Sequence, residues 1–424
     1  MRIQRFLYLV IFIGLVFRFF YPFFSSPLDH LYSDPYRHRE NAMPGSLGVG
    51  FFSILDPPLP QFILQAAIYV FGDTVFGLAS YFGLLCVITP WCWYRWGRLI
   101  FPSKTIALVF MAVITYLPSW ISIYSYVMDE PLLLPSLGIS LWLSWRAKQK
   151  MTIPAILLAT FAWAFSMCIK LNVAFELVIV ISWLLLAYFR QNIDMRKKVC
   201  LTLIVGSTLA LAYLSYPLWV YKGFGFTWLF PPGTAALNRG WYMSNAVGYT
   251  ATLVYKGKIV EQTGNFGSNG TSSQPFAPFS DWSTWRTGHY NYTMVCNDVI
   301  TLVLPCGTIT WKERLRNMTE EALHFFFCQS WPDARDDDPV QEAQILMRWV
   351  WSFLTLGIIV LAIAKRQLKN ILVILCLGTL LFYILSNCSM IDGRYRKPWE
   401  GIAIATFIYL CASPKIKKIN NKTN

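Results

Sequence analysis

The chain has 424 residues, of which 55% are hydrophobic and only 14% are charged, and its formal net charge is +14. The mean hydropathy of +0.45 is too high for a soluble globular surface, so the composition predicts an integral membrane protein. The positive charge does not indicate nucleic-acid binding, because the basic residues are spread over short loops between apolar segments.

Apolar segments along the chain predict membrane-spanning helices, each of which needs about 20 apolar residues. We place about ten spans, at 6–24, 75–94, 105–121, 132–145, 153–169, 174–189, 199–219, 349–364, 371–387 and 400–412. Segment 62–71 is too short to cross and predicts an interfacial helix. In the first span, Arg18 and the aromatic residues after it offer no small-residue cleavage site, which favours a retained helix over a signal peptide. The predicted fold class is therefore an all-α polytopic membrane protein.

Basic residues cluster in alternate loops, as the positive-inside rule requires. The clusters are Arg95/Arg98/Lys104, Arg146/Lys148/Lys150, Arg190/Arg196/Lys197/Lys198, Lys365/Arg366/Lys369 and Lys415/Lys417/Lys418/Lys422. This pattern predicts cytoplasmic termini in a membrane such as the bacterial inner membrane. The extracytoplasmic face would then receive residues 25–74, 122–131, 170–173, 220–348 and 388–399.

The first outer loop contains an acidic candidate, Asp34, followed closely by His38 and Glu40. A carboxylate at the membrane interface could accept a proton from an attacking hydroxyl or bind a metal ion. The alternative is that Asp34 caps an interfacial helix whose first position is Pro35.

A second acidic pair, Asp129–Glu130, stands between the third and fourth spans, directly before Pro131. Helix capping is again the alternative to a functional role. Lys170 follows the fifth span at the same predicted face. It could snorkel to the interface or bind the phosphate of a lipid carrier.

Three cations lie on the predicted outer face between the last two spans, against the positive-inside trend. They are Arg394, Arg396 and Lys397. An anionic partner such as a phosphate would explain them, because the guanidinium fork donates two hydrogen bonds. Ion pairs with outer-loop carboxylates are the alternative.

The longest outer loop, 220–348, predicts a small extracytoplasmic cap between an N-terminal membrane module (1–219, with first outer loop 25–74) and the C-terminal helices (349–424). Its Gly-rich part at 264–270 predicts irregular structure. Residues 311–328 predict an amphipathic helix that lies on the membrane or packs on the cap's own core. A Cys296–Cys306 disulfide is the favoured pairing in this oxidising loop, although spacing does not fix the connectivity.

Several functional classes lack their motifs. The chain has no P-loop, no Gly-rich dinucleotide fingerprint and no Gly-x-Ser-x-Gly elbow. His38 and His289 do not have the spacing of a metal pair. Nucleotide-driven chemistry on the cytoplasmic side is therefore not indicated.

The ordered motifs resemble the GT-C superfamily of polytopic glycosyltransferases, in the branch of the protein O-mannosyltransferases and the bacterial lipid A aminoarabinose transferase. The matching elements are Asp34 with Tyr36 and Ala42, Pro57-Pro58-Leu59, Phe71-Gly72, Gly97-Arg98, Asp129, and Arg394-Tyr395-Arg396-Lys397-Pro398. The sequence departs from that branch in having Pro35 after Asp34, Asp56 before the prolines, and Leu171 after Lys170.

This resemblance implies transfer of a hexosyl or pentosyl group, with inversion, from a polyprenyl-phosphate donor to an acceptor hydroxyl of a lipid, glycan or protein. Asp34 would be the general base. Asp129, with Glu130 and Glu40, would orient the acceptor or assist a metal ion, and a divalent cation is compatible with this set but not required. Lys170, Arg394 and Arg396 would hold the donor phosphate. The partners would be this donor, the acceptor and membrane lipids, without nucleic acid.

Two other functions compete with this interpretation. A transporter or flippase of lipid-linked sugars would place ionisable groups at mid-membrane depth and often shows inverted repeats, whereas these spans carry little charge and show no repeat. An outer-face glycan polymerase or ligase would rely more on Arg and His in a large outer loop than on an early acidic loop.

Overall fold

The computed structural model of the protein describes residues 2–31, 34–46, 57–224, 249–255, 258–266, 292–296, 300–304, 339–386 and 396–413. It also describes five helical residues between positions 315 and 326. Helices dominate these ranges. They are α1 (Arg2–Phe24), α2 (Asp34–Ala42), α3 (Pro58–Phe71), α4 (Val75–Ile100), α5 (Lys104–Thr115), α6 (Pro118–Ser122), α7 (Glu130–Lys150), α8 (Ile153–Ile169), α9 (Ala174–Phe189), α10 (Met195–Phe224), α11 (Pro339–Ala364), α12 (Ile371–Ser386) and α13 (Lys397–Ala412). The prediction of a polytopic all-α membrane protein is confirmed.

Each apolar segment read as a span overlaps one or more of these helices. The number of spans is not confirmed, because only four described helices are long and apolar enough to cross a membrane, or five when a bent pair is counted as one span. The four are Arg2–Phe24, Val75–Ile100, Leu171–Phe189 and Met195–Trp219. Segment 62–71, predicted to be a short interfacial helix, lies within α3, on which Tyr69 is 90% exposed.

The segment predicted as one span at 105–121 is broken into α5 and α6, which meet at an angle of 61°. Pro118 explains the break, because it cannot donate to Ile114 four residues earlier, and its ring clashes with that carbonyl. A second proline, Pro90, likewise cannot donate to the carbonyl of Cys86 within α4. Backbone acceptors are thus left without helical donors at two neighbouring places in an apolar bundle.

Arg18 of α1 supplies the missing donors and is fully buried. Its guanidinium donates to the carbonyls of Cys86 at 2.7 Å, Ile114 at 3.2 Å and Thr115 at 3.1 Å, and to the carbonyl of Trp120 at 3.0 Å. Buried backbone groups within a membrane must be satisfied by the protein itself. Arg18 therefore fixes the bend between α5 and α6, which leads toward Asp129.

The C-terminal helix α13 holds α6 from the other side. The Lys397 ammonium is buried and donates to the carbonyl of Ser119 at 2.7 Å, while the Trp120 indole donates to the carbonyl of Lys397 at 3.1 Å. Gly401 permits this close packing, because a Cβ there would lie 2.6 Å from both Trp93 and Trp120. Helices α1 and α13 thus converge on the same short helix.

The part of the outer loop that is described contains an antiparallel sheet of four strands in the order β2-β1-β4-β3. The strands are β1 (Tyr249–Tyr255), β2 (Lys258–Phe266), β3 (Tyr292–Cys296) and β4 (Ile300–Leu304). The sequence analysis did not predict this sheet. Strand β2 includes residues 264–266, which belong to the stretch predicted to be irregular. The Cys296–Cys306 pairing lies outside the described side chains and stays a prediction.

Candidate functional site

The short helix α2 brings part of the first outer loop to the start of α7. It packs against α3, and the Nδ1 atom of His38 lies 3.8 Å from an Asp129 carboxylate oxygen. Both residues are 8% exposed. Asp34 begins α2 four residues before His38, and this spacing places the two positions on one face of the helix. The Asp34 side chain lies outside the described part of the chain, so its role stays a prediction.

Asp129 does not act as a helix cap. It occupies the position before α7, but its side chain makes no capping hydrogen bond and its backbone is already helical, with φ −77° and ψ −30°. An N-cap residue instead has extended backbone angles and accepts a hydrogen bond from the first turn. The capping alternative therefore does not account for this carboxylate, which faces His38 instead.

A small cleft lies beside this pair and is partly open to the surroundings. Its polar rim is formed by His38, Asp129 and Gln61, whereas its walls are apolar or aromatic. The wall residues are Pro60, Leu64, Tyr81, Phe82, Leu85, Met128, Pro131 and Leu132. A site with this division suits an amphiphilic substrate whose polar group meets the carboxylate and whose apolar part lies against the helices.

An ion pair that the sequence interpretation did not identify holds α2 in place. The Arg39 guanidinium donates to both carboxylate oxygens of Asp73, which lies between α3 and α4, and to Glu40 at 3.0 Å. The hydrogen bond that Arg39 donates to Asp73 raises the pKa of Arg39 above its usual value. Glu40 pairs with Arg39 of the same helix, and its predicted contact with the acceptor stays a prediction.

Glu130 and Lys170 form a buried ion pair that joins the start of α7 to the end of α8. The Glu130 side chain is 1% exposed and that of Lys170 is 17% exposed. Two of the predicted site residues are thus in direct contact, next to Asp129 in the chain. The charge of Lys170 is thus held where α8 ends and α7 begins.

Arg396 is placed differently from the prediction for it. Its guanidinium is 4% exposed and pairs with Glu400 at 2.9 Å, while it also donates to the carbonyl of Phe325 at 2.6 Å. Glu400 in turn accepts from the Ser119 hydroxyl at 2.6 Å. These contacts favour Arg396 as a positioning residue that links α13 to the helical residues at 325–326. Arg394 lies outside the described residues.

Glu176, in the first turn of α9, was not singled out from the sequence. It is fully buried, and neither carboxylate oxygen has a hydrogen-bond partner in the described part of the chain. The amide nitrogen of Asn172, one turn earlier, donates to the Tyr383 hydroxyl at 3.3 Å. A carboxyl group inside a span is costly and rare, and its position in an otherwise apolar run was a visible signal.

In the ranges that the structure covers, no three His, Cys, Asp or Glu side chains come together as a metal ion would require. The described candidate side chains are instead paired as His38–Asp129, Lys170–Glu130 and Arg39–Asp73.

Residues 56–221 match the family model of dolichyl-phosphate-mannose-protein mannosyltransferases. This is a GT-C family, and the resemblance to that superfamily is confirmed. No curated protein and no solved structure matches the chain. The matched stretch covers less than half of the chain and includes Asp73, Asp129, Glu130 and Lys170, but neither α2 nor α13. Over this stretch the chain is similar to membrane glycosyltransferases of the GT-C type.

The sequence interpretation located the two acidic elements but not their partners. The pairing of His38 with Asp129 joins positions that are far apart in the chain and have no local sequence signal. The same is true of Arg39 and Asp73. Among the ion pairs of the described residues, the Arg396–Glu400 pair could have been predicted from the sequence, because residues four apart share one face of a helix.

Proposed function

We propose that this glycosyltransferase moves a sugar, with inversion, from a polyprenyl-phosphate donor to an acceptor hydroxyl on the extracytoplasmic face. The observation that carries the proposal is the position of the Asp129 carboxylate. It does not cap α7, and it faces His38 beside a cleft with polar and apolar sides. Asp129 lies within the stretch that matches the family model. The transporter alternative has no comparable support, since the family match describes a sugar transferase.

In the proposed reaction, the acceptor hydroxyl oxygen attacks the anomeric carbon of the donor sugar. Asp34 takes the hydroxyl proton as that bond forms. The bond between the anomeric carbon and the phosphate oxygen breaks on the opposite face, and polyprenyl phosphate leaves with the bonding electron pair. A single displacement of this kind inverts the anomeric configuration.

Asp129 would orient the acceptor, because its carboxylate borders the cleft and is not used for capping. Lys170 would stabilise the charge that develops on the leaving phosphate, where a preorganised cation in a water-poor site is most effective. The contact of Lys170 with Glu130 supports this role, because it holds the ammonium in place before the donor arrives. The contacts of Arg396 with Glu400 and Phe325 support a role in holding α13 rather than the phosphate.

The test is an Asp34→Asn substitution in full-length protein in its membrane, assayed with polyprenyl-phosphate-linked sugars. We expect normal insertion and loss of transfer by a factor of about 10² to 10⁴, the usual contribution of a general base. Asp29→Asn is the matched control, because Asp29 is an exposed carboxylate of the same outer segment and should leave transfer unchanged. Full transfer by the Asp34 variant would refute its role as base.

A further inference from the structure

The basic end of the bundle, opposite the candidate site, has two arginines stacked on one tryptophan. The guanidinium carbon of Arg95, in the last turns of α4, lies 4.6 Å from the ring centroid of Trp142. That of Arg146, in the last turns of α7, lies 5.3 Å from the same centroid. Arg95 also lies 5.5 Å from the Trp91 ring. Two helices thus present their cations around a shared indole.

In the part of the chain that the structure describes, no acidic residue forms an ion pair with these arginines. Residues 74–128 and 131–175 contain no Asp or Glu, whereas the basic end of α4, α5 and α7 contributes six cations. They are Arg95, Arg98, Lys104, Arg146, Lys148 and Lys150. Within the described ranges, the ion pairs of Asp129, Glu130, Asp73 and Glu400 involve other cations. Neither stacked arginine has a carboxylate partner there.

Stacking does more than anchor a side chain at the interface. A guanidinium over an indole face is held electrostatically by the ring, and its N–H groups stay available at the edge. Two such groups around one ring repel each other, so the arrangement is stabilised by an anion between or beside them. A phosphate group fits this need, because guanidinium groups bind phosphate with two parallel hydrogen bonds.

We propose that Arg95, Arg146 and Trp142 bind a phosphate group, and that its source is the headgroup of an anionic phospholipid. The location favours a lipid over free phosphate, since these residues lie at the ends of membrane helices in a basic surface. Basic pockets between helices on the cytoplasmic side are known to attract anionic headgroups. Trp142 positions the two guanidinium groups rather than contacting the phosphate itself.

The test uses purified full-length protein titrated with phosphatidylglycerol, with phosphatidylcholine and inorganic phosphate as separate arms. Binding is read by native mass spectrometry or by the shift of the unfolding midpoint. We expect phosphatidylglycerol to bind, and Arg95→Gln or Arg146→Gln to weaken it about fivefold each and about thirtyfold together. Trp142→Ala should also weaken binding, and Trp142→Phe should largely restore it.

Arg98→Gln is the matched control, because Arg98 is an exposed arginine of the same helix without a ring contact. Its lipid affinity should stay within the error of the wild type. An equal loss of lipid affinity in the Arg98→Gln variant would show that general surface charge, and not a specific site, binds the lipid. Equal binding of phosphatidylcholine would refute the need for an anion. Binding of inorganic phosphate alone would overturn the lipid source, and unchanged affinity in the double variant would refute the proposal.

Discussion

Replacing Lys170 with Met tests whether the Lys170–Glu130 pair stabilises the fold, and whether Lys170 also has the proposed role in sugar transfer. The substitution keeps a long apolar stem and removes the charge, so that Glu130, with a side chain 1% exposed, loses its cation. Removing one partner of a buried pair costs about 3–5 kcal/mol, because the remaining charge is left uncompensated. We therefore expect the Lys170→Met variant to lose this much unfolding free energy.

The double variant Lys170→Met, Glu130→Gln tests the origin of that loss. Gln at position 130 preserves the shape of the side chain and removes its charge, so most of the lost stability should return. Replacing a whole buried ion pair by neutral groups is often nearly neutral. Sugar transfer should not return, because the double variant still lacks the cation proposed to stabilise the leaving phosphate.

The assay pairs unfolding in mixed detergent micelles with transfer measured on the same protein preparations. Glu130→Gln alone completes the double-mutant cycle and gives the coupling energy between the two side chains. If transfer recovers together with stability in the double variant, Lys170 acts only through the fold. If Lys170→Met costs less than about 1 kcal/mol, the pair behaves as an exposed one and the burial argument is wrong.

Two further predictions concern buried ionisable groups in the spans. Arg18→Met should lower the free energy of unfolding by at least about 4 kcal/mol, because four carbonyls lose a charged donor. Arg5→Met, at an exposed position of the same helix, should change it by less than about 0.5 kcal/mol. Equal effects of the two substitutions would contradict the donor role of Arg18. Glu176→Gln should maintain or raise stability, because it removes a buried carboxyl group without a described partner, and Glu176→Ala should lower it by opening a cavity. A marked loss in the Gln variant would reveal a cationic partner.

Much of the membrane fold was predictable from hydropathy alone, because apolar runs in a bilayer have few conformations other than the helix. The bend at Pro118 was missed, although the proline was visible in the sequence. Whether a proline kinks a helix or ends it depends on a donor elsewhere, and here that donor is Arg18, about a hundred residues away. The four-stranded sheet was missed, although β1 and β2 have 7 and 9 residues and only Lys256 and Gly257 separate them, which is a hairpin signal.

The candidate site was predictable in its residues and not in its pairings. Charge and topology identified Asp129, Glu130 and Lys170, since each interrupts an apolar stretch at a predicted outer boundary. The contacts of Lys170 with Glu130 and of His38 with Asp129 depend on how helices pack, and packing leaves no local pattern in a single sequence. Arg396 illustrates the converse, because a cation expected to bind a ligand is used within the fold.

The hydrogen bonds of Arg18 impose an order on biogenesis. The first helix leaves the ribosome before α4, α5 and α6 exist, so its arginine enters the bilayer without the carbonyls that later receive it. A lone guanidinium in hydrocarbon is costly, which holds α1 near the interface until its partners arrive. We therefore expect full insertion of the first helix to follow the arrival of these partners. A chain without α1 would lose the closure of its bundle as well as a membrane anchor.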